Sequence, residues 1–262
     1  MDKKNSKLLF AAIITIFSVF NSYAHTESSN QTTDKHQLTV SKIAENVFQH
    51  VSYKEVKGFG LVPASGLVVI NDKDAHIIDT PWTNTDTEQL VTWINSQGFT
   101  LKSSISTHFH DDRAGGISYL NKLSIDTYAS EFTNKLLASR NKTVAKHSLS
   151  LPLPKKKQLM VNDTVEVFYP GAGHSMDNIV VWLPEHKILF GGCFVKSLSS
   201  TSLGYTGDAD IKQWPISMQT LIEQYPQVKI VVPGHGKIGD KKLLTNTKAL
   251  ATEAHNKMNL TQ

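Results

Sequence analysis

The segment Thr107-His108-Phe109-His110-Asp111-Asp112 follows directly on the run 101–106, which has the character of a buried strand. In extended chain, residues two apart point to the same side. Continued extension predicts that His108, His110 and Asp112 project together from the strand end. Two imidazoles and a carboxylate are borderline donors that suit zinc. Three further donors obey the same rule downstream. His174 lies in Gly171-Ala172-Gly173-His174-Ser175 after a strand-like run ending at Tyr169. Cys193 lies in Gly191-Gly192-Cys193 after Phe190, and His235 in Pro233-Gly234-His235-Gly236 after Val232. Glycine makes these three loops permissive, and loops at one end of a sheet scaffold are the usual seat of catalysis.

The six donors divide into two triads. His108, His110 and His174 make a three-histidine set; Asp112, Cys193 and His235 make a mixed one. Three protein ligands leave a position for water, as in catalytic zinc sites, whereas structural sites close with four. Any one of these residues taken alone has a plainer reading, as a surface or core histidine or a small buried thiol. That plainer reading is kept for His25, His36, His50, His76, His147, His186 and His255. Ser139-Arg140-Asn141-Lys142 fits S-x-x-K, but it lies in a polar stretch without S-D-N or K-T-G partners and reads as chance.

Outward from the donors, the chain reads as one globular domain, 25–262, behind a leader at 1–24. Lys3, Lys4 and Lys7 precede an apolar run, 8–20, too short for a comfortable membrane span. Ser22-Tyr23-Ala24 then offers a cleavage site, which predicts export to a bacterial periplasm. With 40% hydrophobic and 19% charged residues the chain is neither disordered nor fibrous. The formal charge of +4 loses three Lys and one Asp with the leader, which leaves too little to argue for nucleic acid. The cluster Lys155-Lys156-Lys157 reads as a solvated turn. Cys193 is the one cysteine; in an oxidising compartment a lone thiol is expected to be buried, metal-bound or catalytic.

Strands are predicted at 38–40, 47–51, 66–70, 76–79 and 101–106, with helices at 87–94, 115–120 and 131–138. Gly58-Phe59-Gly60 with Pro63 reads as a mobile hairpin tip. Strands follow at 164–169, 178–183, 187–190 and 228–232, with helices at 211–225 and 241–258. Residues 184–187 form a hairpin turn. Strands then helices, twice over, predict two β-rich layers with helices outside. The remaining chain holds no second long apolar run, so no membrane anchor is expected, and the absence of heptads makes a monomer the default.

At these residues the sequence resembles the metallo-β-lactamases, specifically the cysteine-containing subclass, with the likeness closest to its imipenemase type. The resemblance extends beyond the donors to Ile78-Asp79-Thr80-Pro81, Gly115-Gly116-Ile117, Val167-Phe168-Tyr169-Pro170-Gly171, 177–185 and Ile188-Leu189-Phe190-Gly191-Gly192-Cys193. It runs from about Val47 to the terminal helix. The H-x-H-x-D element is shared by a wider superfamily; Cys193 narrows it, as does Arg113, where related hydrolases usually carry a metal-binding histidine.

The resemblance implies an α/β fold, a four-layer αβ/βα sandwich with a site for two zinc ions per chain at one edge. It also implies hydrolysis of the β-lactam amide of carbapenems, cephalosporins and penicillins by hydroxide at the metals, with Asp112 both a ligand and the orienter of the nucleophile. Lys196 matches the family lysine that binds the substrate carboxylate, a sensible use of an ammonium beside metals. The segment 53–63 matches a substrate-covering flap with Phe59 at its tip. Tyr205 stands where many members carry an Asn thought to hold the substrate carbonyl, and that role is not carried over. Asp111 and Arg113 flank Asp112 as a charged pair able to alter its surroundings. Two other readings fit the donors: a thioester or lactone hydrolase on the same scaffold, and a zinc-carrying protein without catalysis.

Overall fold

The computed structural model describes residues 37–151, 158–160 and 165–260. The leader at 1–24, the stretch 25–36 and the turn at 155–157 lie outside the described residues. Seven strands form a first sheet in chain order: β1 (Thr39–Ala44), β2 (Val47–Val56), β3 (Gly60–Asn71), β4 (Asp74–Ile78), β5 (Thr100–Ser106), β6 (Asp126–Ser130) and β7 (His147–Leu149). The first four pair antiparallel, and β4 through β7 pair parallel. A second sheet holds β8 (Gln158–Met160), β9 (Val165–Phe168), β10 (Val180–Leu183), β11 (Ile188–Gly192) and β12 (Ile230–Pro233), in the order β12-β11-β10-β9-β8.

Alternation along the strands sorts the side chains into layers. Leu67 and Val69 face the space between the sheets, where they meet Val181, Leu183, Phe190 and Val232. Their neighbours Val68 and Ile70 face outward, against Leu90, Val91 and Ile94 of α1 (Asn84–Ser96) and Leu120 of α3 (Ile117–Lys122). In the second sheet Val180 and Trp182 turn outward, onto Trp214, Met218 and Leu221 of α5 (Trp214–Gln224) and Leu243 and Leu244 of α6 (Lys242–Leu260). The order is helix, sheet, sheet, helix. Each large apolar side chain withdrawn from water contributes roughly 1.5–3 kcal/mol. Capping defines the helix starts: Thr83 accepts from the amide of Asp86 at 3.1 Å ahead of α1, and Ser130 from that of Thr133 at 2.9 Å ahead of α4 (Glu131–Ser139).

Three sequence expectations change. Pro63 is not in the turn: it lies within β3, paired with Tyr53, and the reversal is confined to 57–59. At that point β3 has only β2 beside it, because β4 reaches no further than Leu67, so the missing amide of proline costs no ladder bond. β6 and β7 were not expected, since Asp126-Thr127-Tyr128-Ala129-Ser130 has little apolar content; its place in the sheet comes from parallel pairing with β5. Finally, residues 111–114 are not extended but form a helical turn, α2 (Asp111–Ala114).

Candidate metal centre and active site

The donors gather where β5, β9, β11 and β12 end. Asp79, just past β4, adopts φ 59°, a left-handed conformation that Asp tolerates better than most residues. Its carboxylate receives the amide and the hydroxyl of Thr107 at 2.6 and 2.8 Å, which fixes the start of the donor loop. Asp177 receives the amide of Phe109 at 3.1 Å, and the Phe109 ring is buried, so the two flanking histidines face away from the core. His110, at φ −70° and ψ 155°, ends the extended stretch and caps α2. Alternation therefore holds for His108 and His110 and stops there. The helical turn aims Asp112 at a different set of partners.

In the first group, His108 Nε2 lies 3.0 Å from His110 Nδ1, which lies 3.2 Å from His174 Nε2. Burial, reinforced by neighbouring cationic groups, holds His108 and His174 well below the usual histidine pKa, so both rings are neutral. His110 Nε2 sits 3.0 Å from Asp208 Oδ2, which places a ring proton on Nε2 and turns Nδ1 towards the other two imidazoles. Three imidazole nitrogens converging this closely make a set that a cation would bridge, and imidazole suits zinc.

The second group is more charged and more buried. Asp112 Oδ2 lies 3.1 Å from Cys193 Sγ and 3.1 Å from His235 Nε2, and Cys193 Sγ lies 3.2 Å from the same nitrogen. His235 Nδ1 is 2.6 Å from the Pro63 carbonyl, so Nδ1 carries the proton and Nε2 faces the acidic pair. Burial works against charge on His235, but Cys193 and Asp112 overcome it and raise its pKa to about 9. A proton there occupies the place a metal cation would take. Burial alone would raise Asp112; the Arg113 guanidinium and His235 hold it far below the ordinary carboxylate range.

Arg113 is fully buried. Its Nε and one terminal nitrogen donate to Asp112 Oδ2 at 3.0 and 2.9 Å, and it also donates to the carbonyls of Ser65 and Gly234 and to Asp79 at 3.3 Å. Burial opposes its charge, and Asp112, Cys193 and Asp79 restore it. Burial pushes Asp79 up to about 7, against the pull of Arg113 and the Thr107 donors. Gly234 is required by close approach: a Cβ there would lie 2.7 Å from the Cys193 amide and 2.9 Å from Arg113.

Both groups border a cavity of about 610 Å³, within the range of small-molecule sites. The hairpin supplies Val56, Phe59 and Val62; Ser199, Ser200 and Tyr205 lie on other walls. Lys196 is buried beneath it, its ammonium 5.3 Å from the centre of the Trp214 ring. Burial lowers its pKa against the pull of Cys193 and Asp112. Phe59 lies at the hairpin tip, 56% exposed. Tyr205 lines the cavity too, but its hydroxyl donates to Asp208 Oδ2 at 3.2 Å.

The six sequence-chosen donors thus come together, with Lys196, Phe59 and Tyr205 on the cavity wall. Sequence reasoning missed Asp208, although it lies three residues after Tyr205, and missed Arg140, which pairs with Asp208 at 3.1 Å and stacks 4.1 Å above the Phe109 ring. The S-x-x-K motif carries no nucleophile: Ser139 donates to the Leu136 carbonyl, and Lys142 pairs with Asp111.

No family model matches the chain. A metallo-beta-lactamase type 2 from Pseudomonas aeruginosa is 49% identical over 210 residues, covering 80% of this chain and 82% of that protein. Another, from Bacteroides fragilis, is 35% identical over 217 residues, covering 82% and 86%. Among solved structures, VMB-1 superimposes with a TM-score of 0.81 at 54% identity, covering 84% of this chain and 98% of its own. With this fold, and with donors that fit zinc at the sheet edge, the chain belongs to the metallo-β-lactamases, zinc-dependent hydrolases of β-lactams.

Proposed function

We propose that this enzyme opens the lactam amide of carbapenems, cephalosporins and penicillins with two zinc ions, one held by His108, His110 and His174 and the other by Asp112, Cys193 and His235. The observation that carries this reading is the meeting of two donor triads on one wall of the cavity, with the buried Lys196 ammonium beside them. The chemistry zinc supplies when bound is Lewis acidity, which polarises a carbonyl and brings the pKa of water to about 7. Lys196 binds the substrate carboxylate and so sets the lactam carbonyl over the donors. The close partners of Asp112 all converge on Oδ2, which leaves Oδ1 to direct the attacking water. Hydroxyl adds to the carbonyl carbon, the C–N bond breaks, and the ring nitrogen takes the proton. Cys193 would take part through its sulfur, since thiolate is the form of cysteine that binds a metal.

Phe59 and the hairpin cover the bound substrate. Tyr205 contributes an aromatic wall rather than a carbonyl donor, because its proton is committed to Asp208. Lys3, Lys4 and Lys7, the apolar run 8–20 and Ala24 support export to the periplasm, and a sequence without heptads supports a monomer; no helix among the described residues is long and apolar enough to cross a membrane.

Hydrolysis of a carbapenem and a cephalosporin by the purified protein, followed with and without a chelator, tests the reading. Turnover abolished by chelator and restored by zinc is the expected result. A protein that binds two zinc ions yet leaves both substrates intact would remove these substrates and direct attention to thioesters and lactones.

A further inference from the structure

The hairpin formed by β2 and β3 pairs continuously from Val47 with Val69 out to Val56 with Gly60. Its outer end leaves the body of the protein, and the last fastenings are at one cross-strand pair, Lys54 and Val62. The Val62 carbonyl accepts from Trp82 Nε1 at 3.1 Å, and the Lys54 ammonium lies 5.4 Å from the centre of the same indole. Lys54 also reaches Asp111 Oδ2 at 3.4 Å, while the other oxygen of Asp111 holds Lys142 at 2.7 Å. Among the described residues, no hydrogen bond or ion pair of 55–61 joins that tip to the rest of the molecule. Trp82, Asp111 and Lys142 all line the cavity, as do Val56, Phe59 and Val62 of the hairpin.

We infer that Lys54, Asp111 and Lys142 form an ion brace that positions the hairpin over the cavity, so that Lys54 and Asp111 set substrate affinity without touching the reacting atoms. Three physical points carry this. Asp111 is the first residue of α2, so the helical turn that aims Asp112 inward also places the neighbouring carboxylate outward, towards the hairpin. One carboxylate between two lysines tethers a strand on one side and the loop after α4 on the other, and a linked trio holds better than an isolated surface pair. The tether acts at the root of a segment that is otherwise attached only through its own strand pairing. Small angular freedom there becomes a large displacement at Phe59. The three side chains are 35–42% exposed, so the effect is modest and falls with added salt.

The link to substrate affinity rests on the reading of the hairpin as a substrate cover, and the experiment separates the two. Zinc-loaded wild type, Lys54→Met, Lys54→Arg and Asp111→Asn would be compared by hydrogen exchange without substrate, by zinc content and by steady-state hydrolysis. The brace predicts faster exchange of the amides in 55–61 for Lys54→Met and Asp111→Asn, by about two- to tenfold, with exchange in Lys54→Arg close to wild type. KM should rise by a similar factor in the first two variants, while Lys54→Met keeps kcat within about twofold and a full zinc complement. Combining Lys54→Met with Asp111→Asn should add little to either alone. Unchanged exchange at 55–61 in both variants would overturn the brace itself. Faster exchange with an unmoved KM would overturn its link to substrate affinity, leaving the metal centre untouched.

Discussion

The two donor groups sit side by side and are built on opposite principles. In the histidine group His108 and His174 are neutral, and His110 is supported by the Asp208 carboxylate at the rim of the cavity. The Asp112–Cys193–His235 group has two acidic donors and a fully buried guanidinium beneath them. Neutral rings can be buried without a counter-charge. A buried carboxylate needs one, and Arg113, bound also to Asp79 and to two backbone carbonyls, supplies part of it. The lesson is that one metal position can be preformed by packing while its neighbour must be preformed by electrostatics. Substitutions in the two should therefore fail differently.

The largest expected effect is at the sulfur. Cys193→Ser exchanges a thiolate for a poor ligand, and we expect loss of one zinc by mass spectrometry under native conditions, with turnover falling by roughly a hundredfold or more, beyond what outer-shell changes produce. Full zinc content and full rate would break the comparison at its charged side. Arg113→Met comes next and acts on folding as well as on metal. It leaves Asp112 and Asp79 buried without their cation, and should lower stability by about 3–5 kcal/mol, read from the urea midpoint of the protein. A midpoint within experimental error of wild type would show that Asp112 does not depend on the guanidinium.

Asp208→Asn sharpens the comparison from the other side. It replaces the charged acceptor at His110 Nε2 with a neutral amide, and should weaken zinc binding at the histidine group by about 10- to 100-fold, leaving the cysteine group unchanged in a two-site titration. Equal weakening of both sites would mean that the groups are not independent. The smallest effect is expected from Tyr205→Phe, which deletes one exposed hydrogen bond to Asp208 and should change kcat/KM by less than about threefold. A much larger loss would mean that the hydroxyl meets the substrate.

Legibility followed the physics of each feature. The layers could be read because strand patterning is local: Leu67-Val68-Val69-Ile70 is apolar at every position, as a strand covered on both faces requires. β6 could not, because Thr127 and Ala129 are buried through pairing with a strand more than twenty residues away. Pro63 misled for a related reason. Proline marks a turn unless its amide faces an unpaired edge, and which edge is unpaired depends on where β4 stops. At the site, donors were recognisable from residue type and from their positions after strands, whereas the residues that orient them were not. Asp208 meets His110 across 98 positions, and Arg140 in a polar run gave no sign that it would stack on Phe109.

The amino-acid order by itself determined the inventory: six donors of the right type, glycines where the backbone must approach closely, and a strand ahead of each donor loop. These follow from side-chain chemistry and short-range periodicity, which are properties of neighbours in the chain. Only the tertiary structure decided which groups support the donors and what charge those groups carry. The turn at α2 directs Asp112 towards Cys193 and His235, and Arg113 becomes the buried cation of that group because Ser65 of β3, Asp79 just past β4 and Gly234 just past β12 converge on it. Charge state and direction depend on desolvation and on partners remote in sequence, and these exist only once the sheets have closed.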